Sequence, residues 1–183
     1  IQSVRGIENL IALTNLQLQS NTIFRLDGLE NLANLVSVDV SVNRISNLLP
    51  VLALPKIETL LLAKNTVRVL PDFSGMPMLQ HLDLSRNNLE DMRNLTTAAN
   101  LAVLVMSNAK LTNLSVITEV SSLQILTLDR NSLEDISGLA ELNAISALDL
   151  SQNNIHRLEG GLSAIQSGSI LLTGNPLYCE DLE

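Results

Sequence analysis

Residues 13–34 read Leu13-Thr14-Asn15-Leu16-Gln17-Leu18-Gln19-Ser20-Asn21-Thr22-Ile23-Phe24-Arg25-Leu26-Asp27-Gly28-Leu29-Glu30-Asn31-Leu32-Ala33-Asn34. Every leucine of this stretch, and Ile23, returns as an aliphatic residue 22 positions later. Asn21 is followed at the same interval by Asn43, Asn65, Asn87, Asn131, Asn153 and Asn175, and only the slot at Ala109 is filled otherwise. One apolar column holds Leu16, Val38, Leu60, Leu82, Leu104, Leu126, Leu148 and Ile170; another holds Ile23, Ile45, Val67, Leu89, Leu111, Leu133, Ile155 and Leu177. A fixed period of this length marks a stacked-repeat protein in which each unit touches only its neighbours.

The unit dictates its own local structure. The Leu16-Gln17-Leu18 step has period two, which places two side chains inward and one outward on a short strand. Stacking the units sets these strands side by side in a parallel sheet, about 4.8 Å apart. Spacing three at Leu26, Leu29 and Leu32 suits a tight 3-10 or irregular return, and 22 residues leave little room for a helix. The asparagine sits where the chain leaves the strand. Its amide can both donate to and accept from backbone groups that would otherwise be buried without partners.

The unit L-x-x-L-x-L-x-x-N-x-I-x-x-L-x-x-L-x-x-L-x-x resembles the short, 22-residue class of the leucine-rich-repeat family. About eight units cover nearly all of the 183 residues. The resemblance implies an α/β fold: a right-handed solenoid, or horseshoe, with a concave parallel sheet of about eight short strands and short 3-10 or irregular convex returns. It also implies that the asparagines form a continuous ladder and that the concave side binds. Residues 1–183 are expected to form a single domain, with 1–12 a partial first unit and 159–183 a closing segment. Ile1 stands in the column of Ile23 with no polar cap before it, so the chain is expected to be a fragment of a longer protein.

Composition agrees with this architecture. The chain is 46% hydrophobic but only 2% aromatic, as uniform aliphatic columns require. A net charge of −8 argues against nucleic acid, which needs a basic footprint. No run of 18 apolar residues is free of polar interruption, so direct membrane insertion is not expected. After Leu158 the register slips, leaving Gly161 and Ala164 in the columns with Leu162 and Ile165 one residue late. The Asn175-Pro176-Leu177-Tyr178-Cys179 run that follows is similar to the closing segment of extracellular leucine-rich proteins. Cys179 is the only cysteine; either a disulfide partner lies beyond Glu183 or the thiol packs as a small apolar group.

Catalytic chemistry is hard to build from these residues. His81 and His156 fall in different columns, about three units apart, and neither pairs with cysteine at a metal spacing. The outward column between the strand leucines reads Gln17, Asp39, Leu61, Asp83, Val105, Thr127, Asp149 and Leu171. Asp39 and Asp83 would lie about 10 Å apart, too far to share a proton or one ion. These aspartates are expected to be solvated groove residues. No enzyme activity, cofactor or metal is expected. Asn94-Leu95-Thr96 and Asn113-Leu114-Ser115 match the N-glycosylation pattern, a weak signal in a repeat rich in polar-polar-leucine triplets.

What remains is a binding surface. Leu61, Val103, Val105 and Ile125 are apolar at outward positions, with His81 and Asp83 among them, and Lys64, Arg86 and Arg130 flank them at the strand exits. Exposed apolar clusters mark contacts. This set suits a protein or extended peptide with an apolar centre and an acidic edge. Resemblance to internalin-type bacterial surface proteins favours an extracellular or cell-surface, adhesin-like recognition module. The alternatives are an intracellular scaffold, as in the phosphatase-one regulatory subunit of the same repeat class, or a spacer that self-associates through its open N-terminal edge. Ala109 removes one asparagine, and a water or Asn108 is expected to fill in, since an unreplaced bond costs about 1–3 kcal/mol.

Overall fold

The computed structural model describes residues 2–163, 165 and 168–178. Eight three-residue strands form one sheet in strict chain order: β1 (Asn15–Gln17), β2 (Ser37–Asp39), β3 (Thr59–Leu61), β4 (His81–Asp83), β5 (Val103–Val105), β6 (Ile125–Thr127), β7 (Ala147–Asp149) and β8 (Ser169–Leu171). Every neighbouring pair is parallel, and the register advances by the repeat length: Asn15 faces Ser37, Ser37 faces Thr59, and so on to Ala147 facing Ser169. The register follows from the period, because each inward leucine stacks on its equivalent in the next unit. Val38, Leu60, Leu82, Leu104, Leu126 and Leu148 are all buried. The solenoid with a parallel sheet expected from the repeat is therefore the fold.

The returns are short 3-10 turns at Leu29–Asn31, Leu49–Ala53, Arg93–Thr97, Ile117–Glu119 and Ser137–Glu141. Their buried residues, Leu29, Val51, Leu95, Ile117 and Leu139, form one column of the core. The return between β3 and β4 has no such turn. Pro71 and Pro77 remove two N–H donors there, and the buried column is filled by Phe73, 1% exposed. Phe73 N is held instead by Thr97 Oγ1 of the next unit at 2.8 Å. Gly161 stands in this column near the C-terminal end. A Cβ there would lie 2.5 Å from Ile136 O, so the backbone itself occupies the space that a side chain fills elsewhere.

A second set of side chains starts four of the returns. Asn47 Oδ1 accepts from Leu49 N (3.0 Å), Asp91 Oδ1 from Arg93 N (3.0 Å), Asn113 Oδ1 from Ser115 N (3.3 Å) and Asp135 Oδ1 from Ser137 N (2.8 Å). These four share one column of the repeat, and each bond closes a local Asx turn that bends the chain into the 3-10 segment. Ala164 and Cys179 lie outside the described residues, as does the first residue, Ile1. No helix is long and apolar enough to cross a membrane among the described residues.

Candidate functional site: the open sheet face and its exit edge

The asparagine column links consecutive units. Asn65 Nδ2 donates to Val40 O (3.0 Å) in the preceding unit and Leu62 O (3.0 Å) in its own, while its Oδ1 accepts from Ile45 N (2.9 Å). Asn43, Asn87 and Asn153 repeat these bonds, and all four are buried. Asn175 does the same at the C-terminal end, binding Leu150 O, Leu172 O and Ile155 N. Asn21 binds Leu18 O at 3.1 Å. Strand-exit carbonyls and the first N–H of these returns, Ile23, Ile45, Val67, Leu133 and Ile155, are thereby satisfied inside the stack, where an unpaired group would be costly.

The residue before each asparagine has a left-handed backbone. Ser20, Val42, Lys64, Arg86, Asn108, Arg130 and Gln152 have φ between 51° and 59°, and Gly174 has 80°. Non-glycine residues adopt this conformation at a cost of roughly 1 kcal/mol. The sharp reversal that it makes lets the asparagine reach inward, and it turns Lys64, Arg86 and Arg130 outward along one exposed edge.

At Ala109 the next asparagine makes one bond beyond the column's usual set. Asn131 Oδ1 accepts from Ala109 N at 2.9 Å as well as from Leu111 N at 3.0 Å, and its Nδ2 donates to Met106 O (2.9 Å) and Leu128 O (2.9 Å). The expectation that Asn108 would fill in is corrected. Its N–H is taken up by Asp129 O, and the Asn108 side chain makes no bond among the described residues. Lys110 alone of its column also has a left-handed backbone, φ 61°.

On the open face, the register sets Val103 of β5 between His81 and Ile125, and Val105 between Asp83 and Thr127. Leu61 faces Asp83 from β3, so Asp83 separates it from Val105. His81, Asp83, Leu61, Val103 and Val105 are half-buried; Ile125 is 39% exposed. Sequence reading passed over Leu171 of β8, the most open apolar side chain of this face at 50%. Ile125 and Leu171 bound a shallow hollow of about 220 Å³ floored by Ala147 and flanked by Thr127, Asp149 and Ser169. Leu171 stood in the outward column already, and its place there was the available signal.

The aspartates of the open face differ from the solvated side chains expected of them. Asp39, Asp83 and Asp149 are half-buried, and each accepts the backbone N–H two residues on: Ser41 at 2.9 Å, Ser85 at 2.8 Å and Ser151 at 2.9 Å. Each is thereby committed to shaping its own strand exit. His156 lies at the surface on the return. It stacks on Tyr178, with ring centroids 5.4 Å apart, and its Nδ1 lies 3.2 Å from Pro176 O. Of the two glycosylation-pattern asparagines, Asn94 donates its amide to Leu70 O at 2.9 Å, and Asn113 is engaged with Ser115.

The leucine rich repeat family pattern matches residues 33–89. No curated protein sequence matches the chain. Among solved structures, internalin C2 of Listeria monocytogenes is similar over 94% of this chain and 76% of its own, at 28% identity and a TM-score of 0.85. Another internalin of the same organism, inlF, matches over 93% of this chain at 25% identity and a TM-score of 0.84. The chain spans 51% of that internalin's length. A plant peptide hormone receptor, RGFR1, solved in complex with RGF2, shares the fold with a TM-score of 0.73 at 23% identity, over 93% of this chain and 30% of its own.

Proposed function

We propose that this chain, a leucine-rich-repeat protein similar to the internalins, is a non-catalytic recognition module that holds a protein or extended peptide on the open, concave face of its sheet. The observation that carries the reading is the apolar track across β5 to β8. It runs from Val103, Val105 and Ile125 to Leu171, with a small-residue floor at Ala147. Aliphatic side chains left open on a sheet whose other face is a complete core are a contact surface. Half-buried polar neighbours such as Asp149 already have backbone partners, so an occupant need not strip unpaired carboxylates of water.

The internalin likeness supports a bacterial surface or secreted setting. Asp39, Asp83 and Asp149 of the face each accept a backbone N–H, which supports binding over catalysis. The whole of 1–183 serves in this reading as one binding domain. An Ile125→Glu, Leu171→Glu variant tests it, because both side chains are exposed and the fold should survive. Immobilised domain is offered host-cell surface extract and bacterial lysate, and captured proteins are identified and rebound in purified form. A purified partner that binds the unchanged domain and not the variant upholds the reading; equal binding to both moves the function off this face.

A second reading, self-association through the β1 end, is favoured by Leu10 and Ile11. They are exposed beside an apolar hollow lined by Asn9–Leu13. A mass by light scattering that stays monomeric as concentration rises would dismiss it.

A further inference from the structure

The chain carries eleven lysines and arginines. Five of them, Arg25, Arg68, Arg93, Arg130 and Arg157, are in ion pairs. Arg44, Lys64, Arg86 and Lys110 are in none among the described residues, and all four occupy the two positions flanking the asparagine column. The remaining two, Arg5 and Lys56, lie elsewhere, and Lys56 is bound to Asn34 Oδ1 at 2.7 Å. In a protein of net charge −8, four of the six cations without an ion pair among the described residues thus stand along one edge of the sheet.

A cleft of about 510 Å³ opens in this edge between the exits of β3, β4 and β5. Arg68, Arg86 and Lys110 line it together with Asn88 and Asn108, and no carboxylate does. Lys110 Nζ donates to Asn88 Oδ1 at 2.9 Å, which leaves the Asn88 amide N–H groups as donors. The Asn108 side chain makes no hydrogen bond among the described residues. The lining is therefore rich in donors and positive charge, and the amide oxygens of Asn87 and Asn88 are already engaged. Its geometry depends on the interrupted asparagine column: only next to Ala109 does the residue following the ladder position, Lys110, turn left-handed.

We propose that this edge cleft is a docking site for a short acidic polypeptide segment, whose carboxylates engage Arg86 and Lys110, beside an Arg68 that is already paired with Glu90. Lys64 and Arg130 extend the positive strip on either side. The proposal rests on the reading above in one respect, that the partner is a polypeptide; the cleft itself stands apart from the apolar track. Carboxylates suit forked guanidinium and amide donors through paired, charge-assisted hydrogen bonds. The volume accommodates more than one acidic side chain and lies in the range of ordinary ligand clefts. A long polyanion is disfavoured, because beyond the strip it would run into the field of a strongly acidic domain.

Fluorescence anisotropy with a labelled glutamate-rich peptide and its glutamine counterpart tests the proposal, using the full 183-residue chain at about 0.02 M and about 0.15 M salt. Expected are binding of the glutamate peptide alone, weakened at the higher salt, and a loss of about tenfold or more in an Arg86→Gln, Lys110→Gln variant. An Ala109→Asn variant, which removes no charge, should also weaken binding by letting Lys110 return to the backbone of its column. Lys56→Gln, remote from the cleft, should bind as the parent does. Ile125→Glu, Leu171→Glu should keep peptide binding even if it loses the partner of the open face, so the two readings fail separately. Unchanged affinity in the Arg86→Gln, Lys110→Gln variant overturns the proposal. So does tighter binding of a sulfated oligosaccharide of equal charge, which would assign the cleft to a glycan.

Discussion

Asn131 holds the backbone on both sides of Ala109, its Oδ1 accepting from Ala109 N at 2.9 Å and from Leu111 N at 3.0 Å. Elsewhere in the column one such acceptor serves one N–H, as Asn65 does for Ile45. The shared acceptor keeps the stack continuous across the missing rung. It does not restore everything. Leu89, whose N–H would meet an asparagine at 109 by the spacing of Ile45 to Asn65, is only partly buried, whereas Ile45, Val67, Leu111 and Leu133 are buried.

Ala109→Asn should therefore stabilise the domain. The new amide would reach Leu89 N with its oxygen, and Leu84 O and Met106 O with its nitrogen. A gain of about 1 kcal/mol is expected, which for a chain of this size raises the melting temperature by about 2–4 °C. Calorimetry checks this, and a lower melting temperature would show that Asn131 already completes the column.

Asn87→Ala should be among the costliest ladder substitutions, because its rung adjoins the missing one. Val67 N would lose its acceptor, and Leu62 O and Leu84 O a donor. A loss of about 1–3 kcal/mol is expected from urea unfolding. The same change made in the Ala109→Asn background should cost measurably less or more than in the parent, because adjacent rungs share Leu84 O. Strict additivity would argue that the rungs act independently.

Acid should loosen the start of the return after β4. The Arg93 guanidinium, and next its N–H, hold the Asp91 carboxyl down to about 2. A depressed folded value means that the stabilisation is fully present above the unfolded carboxylate range, near pH 4, and fades as pH falls through about 2. Arg93→Ala should remove the guanidinium and raise the Asp91 midpoint in a carbon-detected NMR titration. The difference in melting temperature between parent and variant should be present at neutral pH and shrink in strong acid. An unmoved midpoint would assign the effect to the Arg93 N–H alone.

Phe73→Ala should cost about 3–5 kcal/mol, since it empties the largest side chain of the return column. Phe73→Leu restores the residue type used by Leu29, Leu95 and Leu139, and should cost less than about 1.5 kcal/mol. Denaturant midpoints compare the two. Equal losses would show that the Pro71–Pro77 return is shaped specifically around an aromatic ring.

Much of the fold was legible because a repeat states its rule many times. Where Leu16 recurs as Val38 and Leu60, the inward face and the parallel register follow together. The Asx column of Asn47, Asp91, Asn113 and Asp135 keeps the same period and is legible in the sequence too. The track on the open face was half legible. Val103, Val105 and Ile125 showed as apolar residues at outward positions, but exposure depends on neighbours, and small Ala147 is what leaves Ile125 and Leu171 open around one hollow.

The sequence by itself determined the period, and with it the strand order, the register, the core columns and the place of every asparagine. Those properties depend on spacing along the chain, and spacing survives folding unchanged. Only the tertiary structure decided that Asn131 would accept from Ala109 N, that Lys110 would turn left-handed, and that Arg86 and Lys110 would line one cleft without ion pairs. Each of these depends on which hydrogen-bond partner wins among groups about twenty residues apart, a competition settled by distances in the packed stack.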